Sequence, residues 1–185
     1  MISLFFWFAA RMRRTVPVLR FALGLALLVL TSACATGVTA PDAVLKSIPK
    51  EQKASIRLTK VDAEVAPGVA MTQFDLERVV AKVRAEIEAY RPGLFPPIGV
   101  AAPPGALRVK LLFTRFDEGS ALIGLGQKHL DADVFLIDDR TGAEAGHYRI
   151  AKDSALGGIA GAVTSMGEVE KGFALSVADI LKPKR

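Results

Sequence analysis

The sequence predicts an α+β fold, in which two helices pack on one face of a mixed, mainly antiparallel sheet of about four strands. Three observations predict it. Four short segments alternate apolar and polar side chains, and two longer segments repeat apolar residues with helical spacing. Their order along the chain is strand-helix-strand-strand-strand-helix, and no internal repeat is evident.

Alternation with a period of two identifies the four strands, which are predicted at residues 56–65, 107–116, 132–137 and 145–151. The pattern is clearest in the second, where Leu107, Val109, Leu111 and Phe113 define one face. The last two strands are predicted to form a hairpin, because Asp138 and the Asp-Arg-Thr-Gly that follows it are typical turn residues.

The clearer helix begins after Thr72, an N-cap with Asp75 three residues later, and ends before Pro92. Its apolar stripe comprises Leu76, Val79, Val80, Val83, Ile87 and Tyr90. The opposite face is charged and is expected to lie in solvent; it comprises Glu77, Arg78, Lys82, Arg84, Glu86 and Glu88. The second helix is predicted from about residue 168 to 181, with Val169, Phe173, Val177, Ile180 and Leu181 turned inward.

The connecting segments carry weaker patterns. Residues 91–106 contain five prolines, and their position within one domain favours an ordered loop. The glycine-containing segments 119–126 and 157–161 lack the spacing of a phosphate-binding loop, so we interpret them as bends. The apolar run 155–163 could pack on the sheet, meet another subunit or touch the membrane, and packing is the preferred interpretation.

Charge is concentrated at the N-terminus. The chain of 185 residues has 24 basic and 19 acidic side chains, and its first 33 residues hold four arginines and no acidic residue. The other 152 residues are almost neutral and long enough for one hydrophobic core. This argues against binding to nucleic acid, because a phosphate-binding domain needs a basic surface of its own.

The N-terminal segment has the order of a secretory signal peptide. Arginines precede ten apolar residues at 21–30, and small residues follow them. Ten residues of helix span about 15 Å, roughly half of a bilayer core, which disfavours a spanning anchor. Met12 followed by Arg13 and Arg14 is a more natural start than Met1, because the first ten residues are apolar and precede the arginines.

Cys34, the only cysteine, directly follows Thr31-Ser32-Ala33 and resembles the lipobox cysteine of bacterial lipoproteins. The resemblance implies that its thiol receives a diacylglycerol, that cleavage occurs before it, and that fatty acids such as palmitate anchor the protein. The family prefers Leu at the position of Thr31, so an ordinary cleaved signal and an uncleaved anchor remain alternatives. Ala35 resembles the outer-membrane pattern, since Asp at that position retains enteric lipoproteins in the inner membrane.

These features divide the chain into a signal peptide (1–33), a lipidated tether (34–54) and a single α+β domain (55–185). The tether assignment depends on small, polar residues interrupted by Pro41 and Pro49. Within residues 108–181, the runs RVKLLFTRFDEGS and GLGQKHLDADVFLIDDRTGAEAGHYRI, a Gly-Gly stretch and a terminal helix resemble small bacterial envelope lipoproteins of a domain-of-unknown-function family. That resemblance implies an envelope lipoprotein of α+β type and no established activity.

Few residues suggest chemistry. His129, Asp131 and Asp133 would share one face of a strand and are weak candidates for a divalent metal site, although a polar strand facing solvent explains them better. Asp138 and Asp139 are interpreted as turn residues, and His147 as an exposed strand residue. We find no signature of nucleophilic catalysis and expect no cofactor.

The sequence therefore predicts a non-catalytic lipoprotein on the periplasmic face of the outer membrane, an adaptor or structural subunit of a cell-envelope assembly. Its expected partners are the membrane, through the lipid anchor, and an envelope protein. Two alternatives stay open: a small metal-dependent hydrolase that uses His129, Asp131 and Asp133, and a module that binds an apolar ligand.

Overall fold

The computed structural model describes residues 41–97, 99–119, 127–154 and 165–182. All of them belong to Val38–Arg185, the second of two units into which the chain divides. The elements follow in the order β1 (Ala43–Lys46), α1 (Lys50–Ser55), β2 (Leu58–Val65), α2 (Gln73–Tyr90), β3 (Leu107–Asp117), β4 (His129–Asp138), β5 (Glu144–Asp153) and α3 (Met166–Ile180).

The strands form one open mixed sheet in the order β1-β5-β4-β3-β2. Strand β2 pairs with β3 in parallel, and the other pairs are antiparallel. The parallel pair follows from the helix between them, because a strand that returns after a helix can enter the sheet in the same direction. The predicted α+β class and mainly antiparallel sheet are confirmed, with β1 as an additional strand.

The hydrophobic core lies between the sheet and the helices. Strand β3 contributes Leu107, Val109, Leu111 and Phe113, all of them buried as their alternation predicted. Helices α2 and α3 cover these side chains, and the rings of Phe113 and Phe173 lie 5.7 Å apart. Each large apolar side chain buried in this way contributes about 1.5–3 kcal/mol, so alternation on the strands and the helical stripe together define the core.

Capping boxes begin both long helices. The Thr72 hydroxyl accepts a hydrogen bond from the Asp75 backbone N–H at 3.2 Å, as the sequence predicted. Hydrogen bonding from the Thr72 hydroxyl also lowers the pKa of Asp75. Ser165 and Glu168 form an equivalent box, so α3 begins at Met166, two residues before the predicted start. The Ser-x-x-Glu pattern of this second box is present in the sequence, but the predicted start at about residue 168 did not make use of it.

The prediction that the charged face of α2 lies in solvent is wrong for Arg78 and Lys82. Both side chains bind Glu170 of α3, which is fully buried. The Arg78 Nε and Nη2 atoms lie 2.9 and 2.6 Å from Glu170 Oε1, and Lys82 Nζ lies 2.5 Å from Oε2. These hydrogen bonds to Glu170 raise the pKa of the Arg78 guanidinium. A buried carboxylate thus joins the two helices.

Tyr90 also departs from its prediction. It closes the predicted apolar stripe of α2, yet it is 43% exposed. The Lys182 ammonium lies 5.3 Å from the centroid of its ring. The position falls in the last turn of α2, beyond the part of the helix that the sheet covers.

The loop of residues 91–106 contains no helix or strand in its described part, and it is ordered as predicted. Leu94 and Phe95 are buried, and the Leu94 carbonyl accepts a hydrogen bond from the Leu58 N–H at 2.9 Å. The first part of this proline-containing loop therefore packs on the core through Leu94 and Phe95.

Residues 41–54, which the sequence analysis assigned to the tether, carry strand β1 and helix α1. Ile48 and Ile56 are buried on either side of α1. The Ile48 N–H donates to the Tyr148 hydroxyl at 3.0 Å, and Lys53 Nζ donates to the Ile180 carbonyl at 2.9 Å. Two isolated isoleucines give no periodic pattern, which is why the sequence did not show that this segment docks on the domain.

Replacing the buried carboxylate tests how much of the fold depends on the contact between α2 and α3. We expect Glu170→Ala to lower the free energy of unfolding by about 3 kcal/mol, because Arg78 and Lys82 lose their shared partner. Glu170→Gln, which keeps the shape without the charge, should cost less. Urea denaturation measures both, and Glu88→Ala on the exposed side of α2 is the matched control. Equal losses for Glu170→Ala and Glu88→Ala would contradict the assignment.

Candidate interaction surface

One face of the sheet lies opposite the described helices, and its side chains are mainly polar. We call it the polar face. Strand alternation assigns it the residues between the core positions. They are Asp62 and Glu64 on β2, Arg108, Lys110 and Leu112 on β3, His129, Asp131, Asp133, Phe135 and Ile137 on β4, and His147 and Arg149 on β5. The predicted hydrophobic pattern thus occupies one side of the sheet and leaves mainly charged and polar side chains on the other.

The centre of the polar face is a carboxylate held by its neighbours. Arg149 donates to both oxygens of Asp133, from Nε at 3.0 Å and from Nη2 at 3.3 Å. These hydrogen bonds raise the pKa of Arg149. Asp133 is only 8% exposed but the Arg149 side chain is 56% exposed, so the pair has a two-point geometry whose cation remains in solvent. Asp133 is therefore engaged in holding β4 to β5.

His147 is packed beside this pair, and the prediction that it is an exposed strand residue is wrong. Its side chain is 21% exposed. Its ring stacks on Phe135 with centroids 4.2 Å apart, because the two residues face each other across the β4–β5 register. The Nε2 atom lies 3.5 Å from Asp133 Oδ1 without making a hydrogen bond. The His147 imidazole therefore packs on the polar face by stacking on the Phe135 ring.

The three weak metal candidates share one face of β4, as predicted, but each meets different neighbours. Asp133 binds Arg149, Asp131 lies opposite Arg115, and His129 lies opposite Asp117 on β3. Burial raises the pKa of Asp131, while the charges of Arg115 and His129 act to lower it. Within the described part of the chain, no three His, Cys, Asp or Glu residues are placed to hold a metal ion.

On the β2–β3 half of the polar face, ion pairs form within β2, between β2 and β3, and between β3 and the turn after β4. Lys110 Nζ lies 2.9 Å from Glu64, and Lys60 Nζ lies 3.0 Å from Asp62. Arg108 lies 3.9 Å from both Asp62 and Asp139. Each exposed pair contributes at most about 1 kcal/mol. Together they alternate positive and negative charge across neighbouring strands.

Asp138 has the turn role that the sequence predicted. Its carboxylate accepts hydrogen bonds from the Thr141 N–H at 2.7 Å and the Thr141 hydroxyl at 2.8 Å. These bonds, the backbone one first, lower the pKa of Asp138. Gly142 closes the turn with φ of +73°, a conformation that favours glycine. Asp138 and Asp139 thus serve the hairpin and do not form a paired acid and base.

Two surface pockets lie away from the polar face. One of about 270 Å³ is lined by Thr59, residues 102–106, Asp139 and Arg140. The other, of about 330 Å³, lies between α2 and α3 beside Lys82, Glu86 and Lys171. Neither lining includes a histidine, a cysteine or a serine.

Several predictions concern residues outside the described ranges. They are the lipidation of Cys34, the bends at 120–126 and 157–161, and the packing of the apolar run 155–163. In the ranges that are described, no helix is both long and apolar enough to cross a membrane. Sequence reasoning missed Glu170 and the pairing of Asp133 with Arg149, because the partners of both are distant in sequence.

The fold defines the class of the molecule: an α+β layer with a five-stranded mixed sheet. The chain is similar in structure to the PelC dodecamer from Paraburkholderia phytofirmans, with a TM-score of 0.52 and 16% sequence identity. The similarity covers 77% of this chain and 99% of the PelC chain. A point variant of that dodecamer gives a TM-score of 0.50 at 14% identity, over 77% of this chain and 98% of the other.

A candidate lipoprotein from Caulobacter crescentus CB15 is less similar, with a TM-score of 0.38 at 15% identity over 71% of this chain and 91% of that one. No family model matches the chain, and no curated protein matches it. At these identities the likeness shows the fold alone.

Substitutions at Asp131 and Asp133, two residues apart on β4, should change stability at neutral pH in opposite directions. Burial raises the pKa of Asp131, so its ionised form opposes folding, and stability falls as pH rises through the folded pKa. Asp131→Asn should remove that loss and raise Tm at neutral pH relative to the unsubstituted chain. The difference should vanish below the ordinary pKa of 3.8, where the carboxyl is protonated in both states.

Asp133→Asn is the matched control, because it has the same chemistry one position further along the polar face. It should lower Tm at neutral pH, since Arg149 loses its charged partner. Thermal unfolding followed by circular dichroism across a pH series measures both. A parallel loss of Tm in the two variants at neutral pH would contradict the distinction between them.

Proposed function

We propose that the chain is a lipid-anchored protein of the bacterial envelope that acts without catalysis, as an adaptor or structural subunit of an assembly on the periplasmic side of the outer membrane. The leader, the lone cysteine at its end and Ala35 support the location. In this proposal Cys34 carries the anchor, and the described domain supplies the binding surface.

The observation that carries the non-catalytic role is that three of the four carboxylates on the polar face are paired with a cation. Asp133 is bound by Arg149, Glu64 by Lys110, and Asp62 by Lys60. A catalytic acid or base needs a position from which it can reach a reacting atom. Side chains that are already ion-paired give the surface a fixed pattern of charge. Such a pattern supports recognition of a partner protein.

Apolar side chains among these charges support the same role. Leu112, Phe135 and Ile137 are half-buried on the polar face. Protein interfaces commonly combine an apolar centre with a charged rim. The PelC structures supply a precedent, since they show a protein of this fold as a dodecamer. The proposal therefore includes assembly, either with copies of this chain or with another envelope protein.

Removal of the thiol tests the anchor. We expect cells fed with labelled palmitate to label the chain, and Cys34→Ser to abolish the label because a serine hydroxyl does not replace the thiol as the group that receives the diacylglycerol. The variant should move from the membrane fraction to the periplasmic extract. Thr39→Ala, downstream of the same junction and outside the lipobox, is the control and should retain both properties. Unlabelled native protein with unchanged fractionation would end the lipoprotein assignment.

Photo-crosslinking tests the partner surface. We expect a photoreactive amino acid at Leu112 to give one reproducible crosslinked product in intact cells, because this position lies at the centre of the polar face. The same amino acid at Glu88, exposed on α2, is the matched control and should give much less of that product. Mass spectrometry identifies what is attached. Equal yields at the two positions would contradict the polar face as the contact surface.

A further inference from the structure

Strand β1 exposes two apolar side chains at the edge of the sheet. Val44 is 55% exposed and Leu45 is 54% exposed. Val44 pairs with Tyr148 and Lys46 with His147, so Leu45 occupies an irregularity between two regular pairs. Adjacent apolar side chains on a free edge are unfavourable in water and normally meet a partner.

This edge is fixed to the domain. The Asp42 carboxylate accepts a hydrogen bond from the Ala151 N–H at 2.5 Å, and the Ile48 N–H donates to Tyr148 at 3.0 Å. Lys46 binds the Glu144 carbonyl on the same pair of strands. The contacts before and after β1 therefore hold Val44 and Leu45 in place on the folded domain.

The length of chain before this edge limits how far it can lie from an anchor at Cys34. A tether that ended at residue 54 would allow about 70 Å between the anchor and the domain at ~3.5 Å per residue. Among the described residues the first of these contacts is at Asp42, and the eight Cα–Cα steps from Cys34 to Asp42 span at most about 28 Å. Of the described residues, those around β1 are the ones that the covalent chain holds closest to Cys34.

We propose that the β1 edge lies against the lipid surface and that Val44 and Leu45 enter the headgroup region of the bilayer. This inference rests on the anchor of the proposed function and adds an orientation to it. The sheet then stands with β1 towards the membrane and β2, the opposite edge, away from it. Partly exposed apolar side chains beside an acyl anchor add a second point of attachment, which makes membrane binding more stable than one anchor alone.

Fluorescence quenching by brominated lipids tests the orientation. Leu45→Trp is the reporter variant, and Phe74→Trp is the matched control, because Phe74 is 71% exposed at the start of α2, which packs over β2. Each full-length chain is expressed, extracted from membranes and reconstituted in vesicles of phosphatidylethanolamine and phosphatidylglycerol, with and without brominated acyl chains. The native Trp7 precedes Cys34 and is common to both variants, so their difference reports the new position alone.

We expect the indole of the Leu45→Trp variant to lose about half of its emission in brominated vesicles, since interfacial side chains sit ~5–10 Å into the headgroup region. The indole of the Phe74→Trp variant should change little. Equal emission from the Leu45→Trp variant in brominated and ordinary vesicles would overturn the proposal. If, in addition, a photoreactive amino acid at Leu45 crosslinks to another copy, the edge is covered by a second copy of this chain instead.

Failure of the anchor and failure of the orientation are distinguishable. The intact mass of the extracted protein reports whether Cys34 is acylated. If it is acylated and the Leu45→Trp variant is not quenched, the orientation is wrong and the anchor stands. If it is not acylated, the Cys34 thiol is coupled to a maleimide-headgroup lipid before reconstitution, and the same quenching comparison then decides the orientation by itself.

Discussion

The packing of α2 against α3 depends on Glu170, a fully buried carboxylate shared by Arg78 and Lys82. Burying an unpaired carboxylate is very costly, so the position is tolerable only because two cations reach it from the other helix. The cations remain about one-third exposed, which limits their own cost of desolvation. A salt link of this kind sets the spacing of the helices more sharply than apolar contacts, because hydrogen bonds from a guanidinium require defined distances and angles.

Helices α2 and α3 cover one side of the sheet. The other side carries the mainly polar side chains that alternate with the core residues. The side chains there pair across strands: Asp133 with Arg149, and Glu64 with Lys110. These contacts also explain why neighbouring carboxylates on β4 behave differently. Asp133 has a direct cationic partner, whereas burial dominates at Asp131 and raises its pKa. Asp131 and Asp133 lie two residues apart on β4, and each of them lies opposite different residues of β3 and β5.

Residues 41–54 dock on the domain through a few contacts, although their composition is that of a tether. Proline and small polar residues give residues 41–54 the composition of a tether. Ile48 and Ile56 are nevertheless buried, and Tyr148 receives the Ile48 N–H. These contacts convert much of a flexible spacer into an edge strand and a short helix. In the described part of the chain, contacts with the domain therefore start at Asp42.

The sequence by itself determined the α+β class, the faces of β3 and β4, the cap at Thr72 and the turn at Asp138, because alternation, helical periodicity and local hydrogen bonding involve residues close along the chain. It also located the shared face of His129, Asp131 and Asp133, although not their partners. Only the tertiary structure decided that Arg78 meets Glu170, 92 residues away, that Asp133 meets Arg149, and that β1 joins the sheet. Such contacts depend on strand register and helix placement, which the packing of the whole domain determines.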